Sequence, residues 1–266
     1  MKNKTTIQNI FQEFIDETGY FIGRCGNVEI SSLLGDDKQI KTNAGFYGTD
    51  KDLKKFKKLY FEAINNFDIN QIVISCNSFR LVDNFFIQNN IFKPSMPYME
   101  YCELYLNLVE AITQKYKIGF ISFFKDDMEE QAKNINKIWN DKYKIKSENM
   151  VFVKSYNTTE KFKKPHNNYF ETLEDLKKRV LEHKNTKYWF SSCGAYGVPL
   201  GHLLKQEKKN YFYVGGILQC MFGIMGGRWK DRREITNNIN YYWKTAKYVK
   251  LEEFDALKEI ENGCYI

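Results

Sequence analysis

Short apolar runs recur along the chain at Tyr20–Arg24, Gln71–Cys76, Lys117–Phe123, Met150–Ser155, Lys187–Cys193 and Tyr211–Gly215. Most are followed by a stretch whose apolar residues return every three or four positions, the spacing of a helix with one buried face. In Asp50–Asn66, Leu53, Phe56, Leu59, Tyr60, Ala63 and Ile64 fall on one side with lysines opposite; in Glu171–His183, Leu173, Leu176, Val180 and Leu181 do the same. A third helix is predicted over Asp126–Trp139, with Asp126 as its cap and acids in its first turn, where they suit the positive end of the helix dipole. This alternation predicts an α/β fold with a mostly parallel sheet flanked by helices. Ligands of such sheets bind at the carboxyl ends of the strands. Asn157–Asn168 reads as a loop, a lid or a plain excursion, and no repeat or linker divides the chain. One domain over residues 1–266 is therefore expected.

The chain has 266 residues, 43% hydrophobic and 27% charged, enough to bury a core without staples. Its net charge of +7 favours anionic partners without requiring nucleic acid, and the basic residues are dispersed with no nucleic-acid-binding signature. No export signal is read at the N-terminus, and the uncharged run Tyr211–Gly227 is glycine-rich and too short to span a bilayer. Cys25, Cys76, Cys102, Cys193, Cys220 and Cys264 are scattered, with no CxxC pair, which fits a reducing, cytoplasmic compartment.

Three segments carry candidate chemistry. In Gly23-Arg24-Cys25-Gly26-Asn27-Val28-Glu29 a strand turns into a helix, and Arg24 with the carboxylate of Glu29 could hold a phosphate and a divalent ion; alternatively Asn27 caps the helix and Glu29 faces solvent. In Cys193-Gly194-Ala195-Tyr196-Gly197-Val198-Pro199 the glycines and the start of a helix offer backbone N–H groups to a diphosphate, or merely make a tight turn. In the passage from Gly215 and Gly216 through Gln219 to Arg228 and Trp229, the glycines permit unusual backbone beside a ligand, and Trp229 either stacks on a base or sugar or lies in the core. Hydrolase chemistry has little support. His166, His183 and His202 lack zinc-ligand spacing, no GxSxG elbow or Walker lysine occurs, and Cys193 has no identifiable base.

The order Gly23-Arg24-x-Gly26-x-x-Glu29, Phe123-Phe124 leading to Gln131, Cys193-Gly194-Ala195-Tyr196-Gly197-x-Pro199-Leu200, Gly215-Gly216-x-x-Gln219-x-x-Phe222-Gly223-Ile224-x-Gly226-x-Arg228-Trp229, Tyr242-Trp243 and Glu261-Asn262-Gly263-Cys264-Tyr265 resembles bacterial glycosyltransferases of the GT-D fold. The resemblance implies a Rossmann-like domain that moves a hexosyl group from a nucleoside diphosphate sugar to a glycan or glycoconjugate acceptor, in polysaccharide biosynthesis, with peripheral membrane association compatible with that role. It implies Glu29, Arg24 and Arg228 as catalytic residues. Gly26, Asn27, Gly194, Ala195, Tyr196, Gly197, Gly215, Gly216, Gln219 and Trp229 would bind substrate, and Glu29 with Asn27 would hold Mn or Mg. Asn27 stands where the family carries aspartate, and a neutral oxygen there weakens the expected metal affinity. Glu29 and Asp126 are the candidates for a general base. A non-catalytic nucleotide or sugar-phosphate binder, or another sugar-nucleotide-modifying enzyme, is the competing expectation.

Overall fold

The computed structural model describes residues 7–72, 80–97, 102–247, 255, 257 and 258. Its centre is a sheet of seven parallel strands in the order β3-β2-β1-β7-β6-β4-β5: β1 (Phe21–Gly23), β2 (Ile69–Ile72), β3 (Ser95–Pro97), β4 (Lys117–Ser122), β5 (Met150–Lys154), β6 (Thr186–Ser192) and β7 (Asn210–Tyr213). Two further short strands, β8 (Ile224–Met225) and β9 (Lys244–Thr245), pair apart from it.

Period-two alternation along each central strand feeds two cores. On β6, Tyr188 and Phe190 face one side and Trp189 the other; on β7, Phe212 opposes Tyr211 and Tyr213; on β1, Ile22 opposes Phe21. The first side is covered by α1 (Ile7–Asp16), α5 (Cys102–Thr113), α6 (Lys125–Ala132), α7 (Ile135–Ile138), α10 (Ile217–Met221) and α11 (Arg233–Thr236). The second is covered by α2 (Asn27–Leu33), α3 (Asp50–Asn65), α4 (Arg80–Gln88), α8 (Tyr169–Glu182) and α9 (Gly197–Gln206). Gly119 sits across the ladder from Trp189, whose ring lies 2.2 Å from where a Cβ would stand, so any side chain on β4 there would collide with the indole.

The local reasons for the helices are visible in the sequence. Thr49 Oγ1 accepts a bond from Asp52 N and Asp52 Oδ2 accepts one from Thr49 N, a capping box that starts α3; Asn168 accepts from the N–H groups of Phe170 and Glu171 and starts α8. The single helix expected over Asp126–Trp139 is two helices. Lys133 and Asn134 bond three residues back, to Glu130 and Gln131, and that tight turn ends α6 before α7 begins. Asp126 is not the cap either; that position belongs to Phe124, and Asp126 lies in the first turn. The strand expected at Gln71–Cys76 begins two residues earlier, at Ile69, and residues 73–79 lie outside the described residues. Cys76, Cys264 and the Glu261–Tyr265 motif lie outside them as well.

The strand order places a switch point between two neighbours. From β4 the chain proceeds outward to β5, whereas from adjacent β6 it proceeds the other way, to β7. The connections therefore leave on opposite sides, and a crevice opens where β4 and β6 end.

Candidate active site

A cleft open to solvent occupies that crevice, with about 570 Å³ of empty space when the solvent at its mouth is included. Its floor is the ends of three neighbouring strands: Ser122, the last residue of β4, with Phe123 and Phe124; Ser155 through Thr159 after β5; and Ser192, the last residue of β6, with Cys193, Gly194 and Tyr196. Asn43 and Ala44, from a π-helical turn at Ile40–Ala44, form another wall, and Leu257 completes the lining. The walls are tied together by buried bonds. Thr158 Oγ1 donates to Gly45 O at 2.5 Å and lies 2.7 Å from Tyr196 Oη, while the Tyr196 ring stacks on Tyr169 at 4.6 Å. Gly194 has φ +52°, and a Cβ there would stand 2.9 Å from Ala44 O, so both its backbone conformation and its neighbour exclude a larger residue.

Every described residue lining this cleft carries a side chain that is neutral near pH 7. The ionisable groups among them are tyrosines and Cys193, whose thiol burial pushes up to about 12, which removes it as a thiolate nucleophile. Several of the neutral polar groups have unused hydrogen-bonding capacity. Ser155 is 1% exposed and its Oγ has no partner among the described residues. Asn157 accepts from Thr159 N and Oγ1 through its carbonyl, which leaves its NH₂ turned to other partners.

The first-strand turn is built differently. Arg24 leaves the end of β1 and lays its guanidinium 5.8 Å from the centre of the Tyr213 ring, close against Gly215, where φ is +75° and a Cβ would stand 2.5 Å from Nη2. Tyr213 in turn donates to Gly194 O at 3.2 Å, and its ring fills the space that a side chain at Gly197 would need. Arg24, Gly215, Tyr213, Gly194 and Gly197 therefore form one continuous packed group at the carboxyl ends of β1, β7 and β6. Gly26 is the residue before α2; Asn27 opens the helix and does not cap it by its side chain. Glu29 does not face solvent. It is 7% exposed, with Oε2 folded back over Gly26, and its charge adds to the burial that holds the Cys25 thiol and the Tyr60 phenol far above their usual values.

Asn27 Oδ1 is buried with no partner among the described residues, an orphaned oxygen two positions from a buried carboxylate. The described residues contain no group of three or more His, Cys, Asp or Glu side chains able to hold a metal. Asn27 and Glu29 thus fit only an ion whose other ligands come from a substrate.

The glycine-rich passage is used mainly for packing. Gly216 precedes α10, Gln219 donates to Ile224 O within the core, and Trp229 is 2% exposed in the hydrophobic cluster, away from the cleft lining. Ala195 is fully buried and its carbonyl accepts from Tyr169. Arg228 is exposed, with its guanidinium 6.0 Å from the Trp229 ring, and does not line the cleft. Gln131 donates to Phe222 O and Tyr242 O, and Trp243 to Ile138 O, so the scattered residues Phe222, Tyr242 and Trp243 meet as a brace on α6 and α7. Asp126 pairs with Lys125 and Lys154; burial alone would raise its carboxyl, but the two ammonium groups outweigh that and hold it below its usual value, which makes it a poor general base. His202 is buried between the amides of Asn66 and Gln206, and His183 ends α8.

Sequence reasoning missed Ser122, Ser155 and the Asn43–Ala44 turn as lining, and read Asn157 and Thr158 only as the start of a loop or lid. A signal was present: β4 and β6 each end on serine and β5 is followed at once by one, and in a parallel sheet these three positions lie side by side, Ser122 paired with Ser192 and bonded through its carbonyl to Ser155 N.

No family model and no curated protein matches the chain. A solved structure described as a new glycosyltransferase (DUF1792) from Streptococcus sanguinis does, with a TM-score of 0.51 over 80% of each chain at 13% sequence identity. The fold is shared with a solved glycosyltransferase. At that identity the likeness concerns the course of the backbone alone. No helix among the described residues is long and apolar enough to cross a membrane.

Proposed function

We propose that the protein is a glycosyltransferase that moves a sugar from a nucleoside diphosphate sugar to a glycan or glycoconjugate acceptor. The observation that carries this reading is the continuity of two chemically different regions at one end of the sheet. A fixed guanidinium and a glycine turn, joined through Tyr213, adjoin a neutral cleft at the switch point. Glycosyl transfer needs such a pair: one region stabilises the negative charge that grows on the departing diphosphate, and the other positions the sugar. The shared backbone fold supports the same class.

In this reading Arg24 and the N–H groups of Gly194 and Ala195 hold the diphosphate, those of Tyr196 and Gly197 being already bonded to Cys193 O and Gly194 O, with Arg228 from the turn after β8 as a further cation. Tyr213 orients Arg24 by lying beneath it, and Gly215 leaves the space the guanidinium needs. Asn27 and Glu29 would hold a Mn or Mg ion shared with the diphosphate, which would neutralise leaving-group charge. The buried Glu29 is better placed for that role than for taking a proton from an acceptor hydroxyl in open solvent.

Thermal denaturation in the presence of UDP, GDP or dTDP, with and without Mn, tests the reading, because a ligand that binds only the native state raises its melting temperature. One nucleotide is expected to stand out, and mixing the protein with the matching nucleotide sugars should release that nucleotide. Absence of a shift with all three would remove the donor site. Binding without release from any sugar donor would point to a nucleotide or sugar-phosphate binder on the same fold.

A further inference from the structure

We infer that Gln71 and Tyr105 are positioning residues for Arg24, acting through Tyr213, so that a buried amide on β2 sets where the diphosphate-holding guanidinium stands. The inference deepens the transferase reading and rests on it for what Arg24 holds. Its basis is where the strands stop. The ladder between β1 and β2 ends at Gly23 and Asn70, and the ladder between β1 and β7 ends at Ile22 and Phe212. Beyond those points β1 has left the sheet on its way to α2, while β2 runs on through Gln71 and β7 through Tyr213. A gap at the carboxyl end of β1 therefore separates Gln71 from Tyr213.

The Gln71 side chain spans that gap. It is 3% exposed; its Nε2 donates to Tyr213 O at 2.8 Å, and its Oε1 accepts from Tyr105 Oη on α5 at 3.2 Å. Tyr105 is fully buried, so the amide is anchored at one end on a core helix and applies its other end to β7. On its opposite edge Tyr213 is held by the ladder with Ser191 of β6. With the backbone fixed from both sides, the Tyr213 ring is fixed too. It fills the space over bare Gly197, donates to Gly194 O at 3.2 Å, and lies 5.8 Å from the Arg24 guanidinium, which stands close against Gly215. An amide buried in a strand is costly unless it is hydrogen-bonded, and an apolar residue of similar size would fill the same volume. What the amide adds is direction. It holds one carbonyl, and through it the surface against which the guanidinium rests.

Two readouts on the full chain test this. The first needs no nucleotide: the heteronuclear NOE of the Arg24 Nε–Hε group, its resonance identified by loss in Arg24→Gln, reports how tightly the side chain is held. Gln71→Met keeps the length and removes the donor, and should lower that NOE about twofold or more; Tyr105→Phe, which frees only the far end of the amide, should lower it by less, with circular dichroism unchanged in both. The second is a double-mutant cycle on the affinity for whichever of UDP, GDP and dTDP raises the melting temperature. Gln71→Met should weaken binding about 10-fold in the parent protein and less than about twofold in Arg24→Gln, because a residue that acts through Arg24 has nothing to position once Arg24 is gone. A side chain that merely supports the core would cost the same in both backgrounds. An Arg24 NOE unchanged in Gln71→Met, or in Tyr105→Phe should Gln71→Met not fold, overturns the inference, and so does an equal loss of affinity in both backgrounds. If no nucleotide binds the parent protein, the donor site falls, and the Arg24 NOE still decides the positioning.

Discussion

The first-strand turn and the cleft lie at the same end of one sheet and are joined through Tyr213, yet they are built from opposite chemistry. At the turn, charge is concentrated and held rigid: Arg24 against the Tyr213 ring and the bare backbone of Gly215, Glu29 buried over Gly26. In the cleft the described lining residues carry no charged side chain, and the walls are serine, asparagine, threonine and aromatic rings, with Lys154 and Arg179 lying behind the rings of Phe123 and Tyr156. A substrate with one charged end and one neutral end would be oriented by that difference before any individual contact was made. The contrast also explains the glycines. Gly215 makes room for a side chain, and Gly194 makes room for the Ala44 carbonyl of the neighbouring turn.

The comparison breaks most severely if Arg24 is replaced. Arg24→Gln keeps the length and polarity but removes the cation, and turnover of a sugar donor should fall about 100-fold, the scale of losing one group that stabilises leaving-group charge. Sugar binding in the cleft should survive. Gly215→Ala acts on the same guanidinium indirectly, through a methyl group placed 2.5 Å from Nη2 at φ +75°. Nucleotide affinity should drop roughly 10-fold, with a loss of about 1 kcal/mol in stability from the strained backbone. Isothermal titration with the nucleotide and urea denaturation read the two effects.

Asn27→Asp sharpens the contrast rather than breaking it. A second carboxylate beside Glu29 should tighten Mn binding about 10-fold in the presence of nucleotide, measured by Mn paramagnetic resonance; an unchanged affinity would place any metal elsewhere. On the cleft side, Tyr196→Phe removes a buried hydroxyl that meets Thr158, and should cost about 1 kcal/mol of stability while leaving nucleotide affinity intact. The smallest effect is on pH. Burial raises the Cys193 thiol from 9.0 to about 12, so the folded state holds this proton where the unfolded chain releases it. That contribution to stability is complete below about pH 9 and is lost as the pH rises from there towards 12. The melting temperature should therefore decline above pH 9, less steeply in Cys193→Ser, and iodoacetamide should not label Cys193 in the folded protein at pH 8.

Alternation of apolar runs and helical stretches made the sheet legible, because central parallel strands buried on both faces are continuous apolar segments. The edge strand Ser95–Pro97 was not, since it is three residues long, follows Pro94 and ends on Pro97, and lies outside that pattern. Among the site residues, the glycine turns were legible because glycine marks backbone geometry. Trp229 and Gln219 were ambiguous, because an aromatic or amide beside glycines serves a ligand or a core equally well on paper; both lie in the core. The cleft residues were hidden for another reason. Ser122, Ser155 and Ser192 are separated by more than thirty residues each and become a surface only through strand order, which no single stretch of sequence contains.

The most direct measurement is a crystal structure of the protein soaked with a nucleoside diphosphate sugar that raises its melting temperature. The account predicts diphosphate oxygens within hydrogen-bond distance of Arg24 and the Gly194–Gly197 turn, and the sugar ring against Ser155 and Asn157. Phosphate density inside the cleft, or a sugar lying away from it, would contradict the division between the two regions.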